Sequence, residues 1–251
     1  MNIFSIEVFW FTIAPSYYGL MYVLAFVSWY FILWKQKKYS KVELESLFLY
    51  VFLWVLIGWR LWYVIFYNPS LIIDFRSEIP FWWTLAVHEW GMSFHGWLLW
   101  VLCALYYFSK KYTKSLLTTF DNIAPLAALW LFFGRMWNYI NKELLGFPYD
   151  WPLAVTTPEW SFFPSPLFQA FTEWLFLFFI LLYISRNKKF TWQVWSVFLI
   201  WYWVFRTITE LFIRTPDAHI GYHFWFLTHW SLLSIPMIII WIYFYITLSK
   251  K

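Results

Sequence analysis

Apolar runs of roughly 17–25 residues, the length that carries a helix across about 30 Å of hydrocarbon, recur along the whole chain. Short polar or basic segments separate them. The pattern predicts seven helices, near residues 16–34, 47–67, 92–108, 119–141, 166–185, 194–214 and 231–249. The expected fold is all-α: a polytopic membrane protein in which residues 1–251 form one seven-helix transmembrane domain. Its external loops fall near 68–91, 142–165 and 215–230.

Composition agrees, since 63% of the residues are apolar and 12% charged, where globular domains run at about 45–50% and 25%. The first apolar run has no basic stretch before it and no small-residue cleavage site after it, so the first helix is expected to stay. The single cysteine, Cys103, allows no intrachain disulfide framework and no Cys-based metal site; among Leu and Ala it reads as a buried, inert thiol.

Twelve of the eighteen Lys and Arg residues fall in four alternate segments. These hold Lys35, Lys37, Lys38 and Lys41; Lys110, Lys111 and Lys114; Arg186, Lys188 and Lys189; and Lys250 and Lys251. The positive-inside rule makes that side cytoplasmic, with the N-terminus outside and the C-terminus inside. The net charge of +5 is then a topology signal, with no nucleic-acid partner implied. The connections on the other side are longer and carry Asp74, Glu78, His88, Glu89, Asp150, Glu159, Asp217, His219 and His223. Long irregular connections in a compact protein tend to be functional.

Three arginines lie inside the apolar runs: Arg60, Arg135 and Arg206. Each costs about 2.5–3.5 kcal/mol at a helix centre on insertion scales, which calls for an anion or a watery cavity. All three occupy the second halves of helices running outward, and therefore the outer leaflet. Tyr17, Tyr18, His95, Asn138, Asn141 and Glu143 fall at the same depth. Arg206, Glu210 and Arg214 recur every four residues with Tyr202 one turn earlier, and Arg135 and Asn138 are one turn apart. Either each arginine pairs with a carboxylate, as Arg206 could with Glu210, and fixes helix register, or the cluster holds a bound anion. Guanidinium forks suit phosphate, and the phosphate at that depth is a phospholipid headgroup. His95, the only histidine predicted within a helix, could be a general base near neutral pH or a hydrogen-bonded structural residue. His88, His219, His223 and His229 have no metal-ligand spacing.

IGWRLWYVIFYNP at 57–69, HEWGMSFHGW at 88–97, FGRMWNYINKELLG at 133–146 and YWVFRTITELFIRTPD at 202–217 resemble, in order, the prolipoprotein diacylglyceryl transferase family. YYGLMY at 17–22 and LSIPMIIIWIY at 233–243 are similar to its first and last helices. The resemblance implies a multi-pass enzyme of the bacterial inner membrane. It would transfer the sn-1,2-diacylglyceryl group of phosphatidylglycerol to the lipobox cysteine thiol of a prolipoprotein and release glycerol 1-phosphate, without metal or cofactor. It also implies roles: Arg135 binds phosphatidylglycerol, Arg206 is a second essential arginine, and His95 stands at a histidine whose role as base is debated. Tyr18, Asn138, Glu143, Gly146 and Glu210 stand at functionally sensitive positions.

The chain departs from the family pattern in two ways. Phe162–Gln169 replaces the R-H-P-S-Q-L-Y-E string, so Phe163 stands where the family has histidine. Trp59, Trp62, Trp90, Trp97, Trp100, Trp137, Trp201, Trp203 and Trp230 stand where the family has glycine, and indoles at close helix crossings should overpack the bundle. With seven glycines and twenty-three tryptophans in 251 residues, the expectation is that UGA codons read here as Trp are glycine codons in the source organism. Two alternatives to a working transferase are an inactive lipid-binding homologue and, with less support, an anion transporter or channel.

Overall fold

Each apolar run carries a long helical segment in a computed structural model that describes residues 6–8, 11–13, 17–66, 68–75, 81–85, 94–158, 160–213, 222–223 and 227–250. At some of these, Tyr18 and His95 among them, it describes the backbone alone. The helices are α1 (Tyr17–Gln36), α2 (Lys41–Phe66), α3 (Phe94–Lys111) and α4 (Leu116–Ile140). Then α5 (Ser165–Gln169) runs through a π-helical segment, Ala170–Leu175, into α6 (Phe176–Arg186), followed by α7 (Gln193–Phe212) and α8 (His229–Ser249). Three antiparallel hairpins join them: β1 (Ile6–Val8) with β2 (Phe11–Ile13), β3 (Val155–Thr156) with β4 (Ser161–Phe162), and β5 (Tyr222–His223) with β6 (Leu227–Thr228). Among the described residues, Leu116–Ile140 and Ser165–Arg186 are long and apolar enough to cross a membrane, and Ser234–Ser249 is a shorter apolar helix.

The second helix starts six residues before its predicted position, at Lys41. Ser40 and Glu43 form a capping box that extends it beyond the apolar run: Ser40 N–H donates to Glu43 Oε2 at 2.7 Å and Glu43 N–H to Ser40 Oγ at 3.3 Å. Lys114 Nζ lies 2.9 Å from Glu43 Oε1. That hydrogen bond, aided by Ser40 and opposed by partial burial, holds the Glu43 carboxyl below the ordinary carboxylate range.

The described chain forms two compact units, Tyr30–Thr119 and Met1–Trp29 with Phe120–Lys251. In the first, α2 and α3 pack on one another, and at Gly58 a Cβ would lie 1.8 Å from Cγ of Trp100. Arg60, 4% exposed, donates from Nη2 to the Trp83 carbonyl at 2.6 Å and from Nε to the Thr84 carbonyl at 3.2 Å. The guanidinium thus fastens the 3-10 turn Trp83–Leu85 to α2. We expect Arg60→Ala to destabilise the protein by about 1–3 kcal/mol, the penalty of leaving buried acceptors unpaired, read as a lower thermal midpoint in detergent. An unchanged midpoint would remove this latch.

In the other unit, Asp121 on α4 is 1% exposed and caps α7 from outside it. Its Oδ2 accepts from Trp192 N–H at 2.8 Å and from Lys188 Nζ at 3.1 Å, and its Oδ1 from Trp195 N–H at 3.0 Å. The carboxylate meets both the unsatisfied donors and the positive dipole end of α7. This fixes the start of α7 against α4, several turns before the arginine each helix carries. The buried indole nitrogens of Trp174, Trp203 and Trp241 have no hydrogen-bond partner, an unusual state for buried polar groups.

Candidate functional site

The end of α4 folds back on itself. Lys142 takes a left-handed φ of 58°, its N–H bonds the Tyr139 carbonyl at 3.1 Å, and Glu143 N–H bonds the Asn138 carbonyl at 2.8 Å. These are the two bonds of a Schellman turn, closed here by a lysine where glycine is usual. The turn aims Glu143 at the last helical face of α4. Glu143 Oε2 then accepts from Asn138 Nδ2 at 3.1 Å and its Oε1 from Asn141 Nδ2 at 3.0 Å. Asn138 Oδ1 in turn accepts from Arg135 Nη1 at 3.2 Å. Arg135, Asn138 and Glu143 therefore form one polar chain, in which the amide orients the guanidinium and the carboxylate orients the amide.

Gly146 locks the loop after this turn. Its N–H bonds the Phe163 carbonyl at 2.9 Å, Phe147 N–H bonds the Ile213 carbonyl at 3.3 Å, and Ser165 Oγ bonds the Leu144 carbonyl at 2.7 Å. A Cβ at position 146 would lie 2.5 Å from the Ile213 carbonyl oxygen and 3.1 Å from Cβ of Phe163. Only glycine passes between them, so Gly146 supports the site through backbone approach. Phe163 fills its own place apolarly, edge-on to Tyr149 with ring centroids 5.2 Å apart.

On α7, Arg206 Nη2 and Glu210 Oε1 form an ion pair at 2.7 Å, with side chains 17% and 4% exposed. The pairing foreseen as one alternative is thus present. A further buried carboxylate, Glu173, was overlooked in the sequence. Glu173 is 3% exposed and accepts a hydrogen bond from the buried Thr209 hydroxyl. Its sequence signal was a lone carboxylate inside the apolar run of the fifth helix, the kind of residue that marks function in membranes.

The structure therefore joins Arg135, Asn138 and Glu143, joins Arg206 and Glu210, and joins Glu173 to Thr209 on α7. Tyr18 is the second residue of α1 and His95 the second of α3; their side chains, like Arg214, lie outside the described residues. Among the described residues no cluster of three or more His, Cys, Asp or Glu could hold a metal ion. A small apolar pocket of about 50 Å³ adjoins the arginine end of α4, lined in part by Met21, Tyr22, Phe133, Gly134 and Trp137.

A family model described as prolipoprotein diacylglyceryl transferase matches residues 5–247. A phosphatidylglycerol–prolipoprotein diacylglyceryl transferase of Idiomarina loihiensis is 36% identical over 249 residues, covering 96% of this chain and 91% of the relative. The enzymes of that name from Buchnera aphidicola subsp. Baizongia pistaciae and Ectopseudomonas mendocina are 36% and 38% identical. They cover 100% and 89% of this chain, and 95% and 85% of their own lengths.

Proposed function

The chain belongs to the prolipoprotein diacylglyceryl transferase family, and from that membership we propose how its residues carry the reaction. It is a transferase of lipoprotein biosynthesis, with phosphatidylglycerol as donor and a prolipoprotein as acceptor. In our reading the acceptor atom is the lipobox cysteine sulfur. The seven helices cross the bacterial inner membrane as one domain, with the N-terminus outside and the C-terminus inside.

The sulfur attacks the glyceryl carbon that bears the phosphate. The carbon–oxygen bond breaks with its electron pair going to the phosphate oxygen, and glycerol 1-phosphate leaves as the thioether forms. Negative charge grows on the leaving phosphate, where Arg135 and Arg206 would stabilise it. Glu143 and Asn138 would orient the first arginine and Glu210 the second; Gly146 would keep the loop seated, and Tyr18 would contact substrate. His95, or a water it orients, would take the thiol proton, because the thiolate is the nucleophile. The observation that supports this most is the polar chain Arg135–Asn138–Glu143, which holds a guanidinium oriented at the end of α4.

If His95 is the base, His95→Gln should slow transfer most at neutral pH, by about 10²–10⁴-fold, with partial recovery at alkaline pH where the peptide thiol ionises unaided. A loss independent of pH would assign His95 to packing or hydrogen bonding. Orientation is checked by labelling intact cells with a membrane-impermeant thiol reagent. Lys38→Cys, Lys111→Cys and Lys188→Cys should resist it, and Asp74→Cys, Glu159→Cys and Asp217→Cys should react. Reaction at Lys111→Cys from outside would invert the map and separate the arginines from any client cysteine emerging on the outer face.

A further inference from the structure

We infer that Asp121 is a positioning residue for the two arginines: from the start of α4 it sets the axial register of α7, bringing Arg135 and Arg206 to the same depth. The inference rests on the phosphate-clamp reading above. Asp121 takes hold of the start of α7 by accepting from Trp192 N–H at 2.8 Å and Trp195 N–H at 3.0 Å. At the opposite ends, Phe147 N–H in the loop after α4 bonds the carbonyl of Ile213, just past α7, at 3.3 Å. The two helices therefore run side by side in the same direction. Arg135 stands fourteen positions beyond Asp121, and Arg206 fourteen beyond Trp192, about 21 Å along each axis at 1.5 Å per residue. Equal offsets from one pin give equal depths.

Apolar packing alone does not set that register. Membrane helices have no hydrophobic drive toward one another, and packed helices shift along their interfaces by about 1–2 Å. A buried carboxylate resists such a shift, because Asp121 is 1% exposed and breaking the partnership of a buried charge costs about 3–5 kcal/mol. The helix α7 also has no cap of its own, since its N-cap residue, Trp192, makes no side-chain cap hydrogen bond. Asp121 supplies that cap from α4. The chain bends to meet it: Trp192 takes a left-handed φ of 81°, an outlier for a bulky residue that persists where the surroundings over-determine it. Both donors are main-chain N–H groups, so the pin is the same whichever side chains positions 192 and 195 carry. Lys188, in the connection before α7, completes it with Nζ at 3.1 Å from Oδ2.

The test compares Asp121→Asn, Asp121→Glu and Lys188→Met in the full-length protein in detergent, assayed well below each variant's thermal midpoint so that only folded protein is read. Asparagine keeps the shape but loses the charge and one acceptor. Glutamate keeps charge and acceptors but places them one methylene further out, so a role confined to capping predicts a normal enzyme, and a role in register does not. The positioning role predicts a kcat lower by on the order of 100-fold in both, the cost of misplacing a catalytic group by about 1 Å, with KM for the lipobox peptide unchanged. Lys188→Met leaves both main-chain donors on the carboxylate and should lose less. Normal turnover by folded Asp121→Glu, or activity that falls only in step with the folded fraction, overturns the inference; if Asp121→Asn does not fold, Asp121→Glu decides alone. Arg135→Ala separates the two claims. If it is inactive while the Asp121 variants are normal, only the positioning role fails; if it turns over normally, the clamp reading fails as well.

Discussion

Arg135→Ala will lose diacylglyceryl transfer by at least about 10²–10³-fold, the effect of removing one preorganised donor to a developing oxyanion, while the protein stays folded. Arg135 donates to the neutral amide of Asn138, a hydrogen bond and not an ion pair. Arg206→Ala will be equally inactive but also less stable. It removes the 2.7 Å ion pair with Glu210, whose side chain is 4% exposed, and breaking a buried pair costs about 3–5 kcal/mol. Arg206→Lys separates the effects, since the ammonium can still meet Glu210 while the two-pronged phosphate geometry is lost. It should regain stability and remain slow. Transfer rates and thermal midpoints measured together decide the matter: a normal rate in Arg135→Ala would make that arginine a structural group.

The second large effect concerns the nine doubtful tryptophans. Restoring glycine at positions 59, 62, 90, 97, 100, 137, 201, 203 and 230 should raise the folded yield and thermal midpoint of protein made in a host that reads UGA differently. Overpacking costs about 1–3 kcal/mol per site, so several together approach the whole net stability of about 5–15 kcal/mol. The structure adds detail at three of them. The Trp100 ring occupies the space a side chain at Gly58 would take, so a glycine at 100 would leave a crossing of two small residues, the usual close contact of membrane helices. The Trp203 indole is buried without a partner, whereas that of Trp201 has found the Glu173 carbonyl. Codons of UGG at these positions, or an unchanged midpoint after restoration, would end the recoding explanation.

Much of the fold could be read from the sequence because a membrane helix announces itself through uninterrupted apolarity, whatever its partners. The predicted helix ends fell close to those observed except at Lys41, where a capping box carries α2 beyond its apolar run. The one-turn spacing of Arg135 and Asn138 and the four-residue spacing of Arg206 and Glu210 were legible for the same reason: a helix makes them neighbours. Contacts between elements were not. The guanidinium of Arg60 binds main-chain carbonyls of the 3-10 turn at Trp83 and Thr84, and main-chain acceptors leave no trace in residue identity. Glu143 lies beyond α4 and reaches Asn138 only because Lys142 adopts a left-handed conformation. Glu173 faces α7 through a π-helical turn that no simple period foretells.

The central claim is that this chain moves diacylglyceryl from phosphatidylglycerol to a cysteine thiol, using Arg135 and Arg206 to hold the phosphate. It is tested most directly with phosphatidylglycerol labelled separately in its acyl chains and in its headgroup glycerol, a lipobox peptide, and the glycine-restored protein. The account predicts that the acyl label joins the peptide through a base-resistant thioether, that headgroup label appears in equal amount as free glycerol phosphate, and that a peptide with serine for cysteine receives nothing. Headgroup release without peptide labelling, or no transfer by a folded, glycine-restored protein, would contradict it.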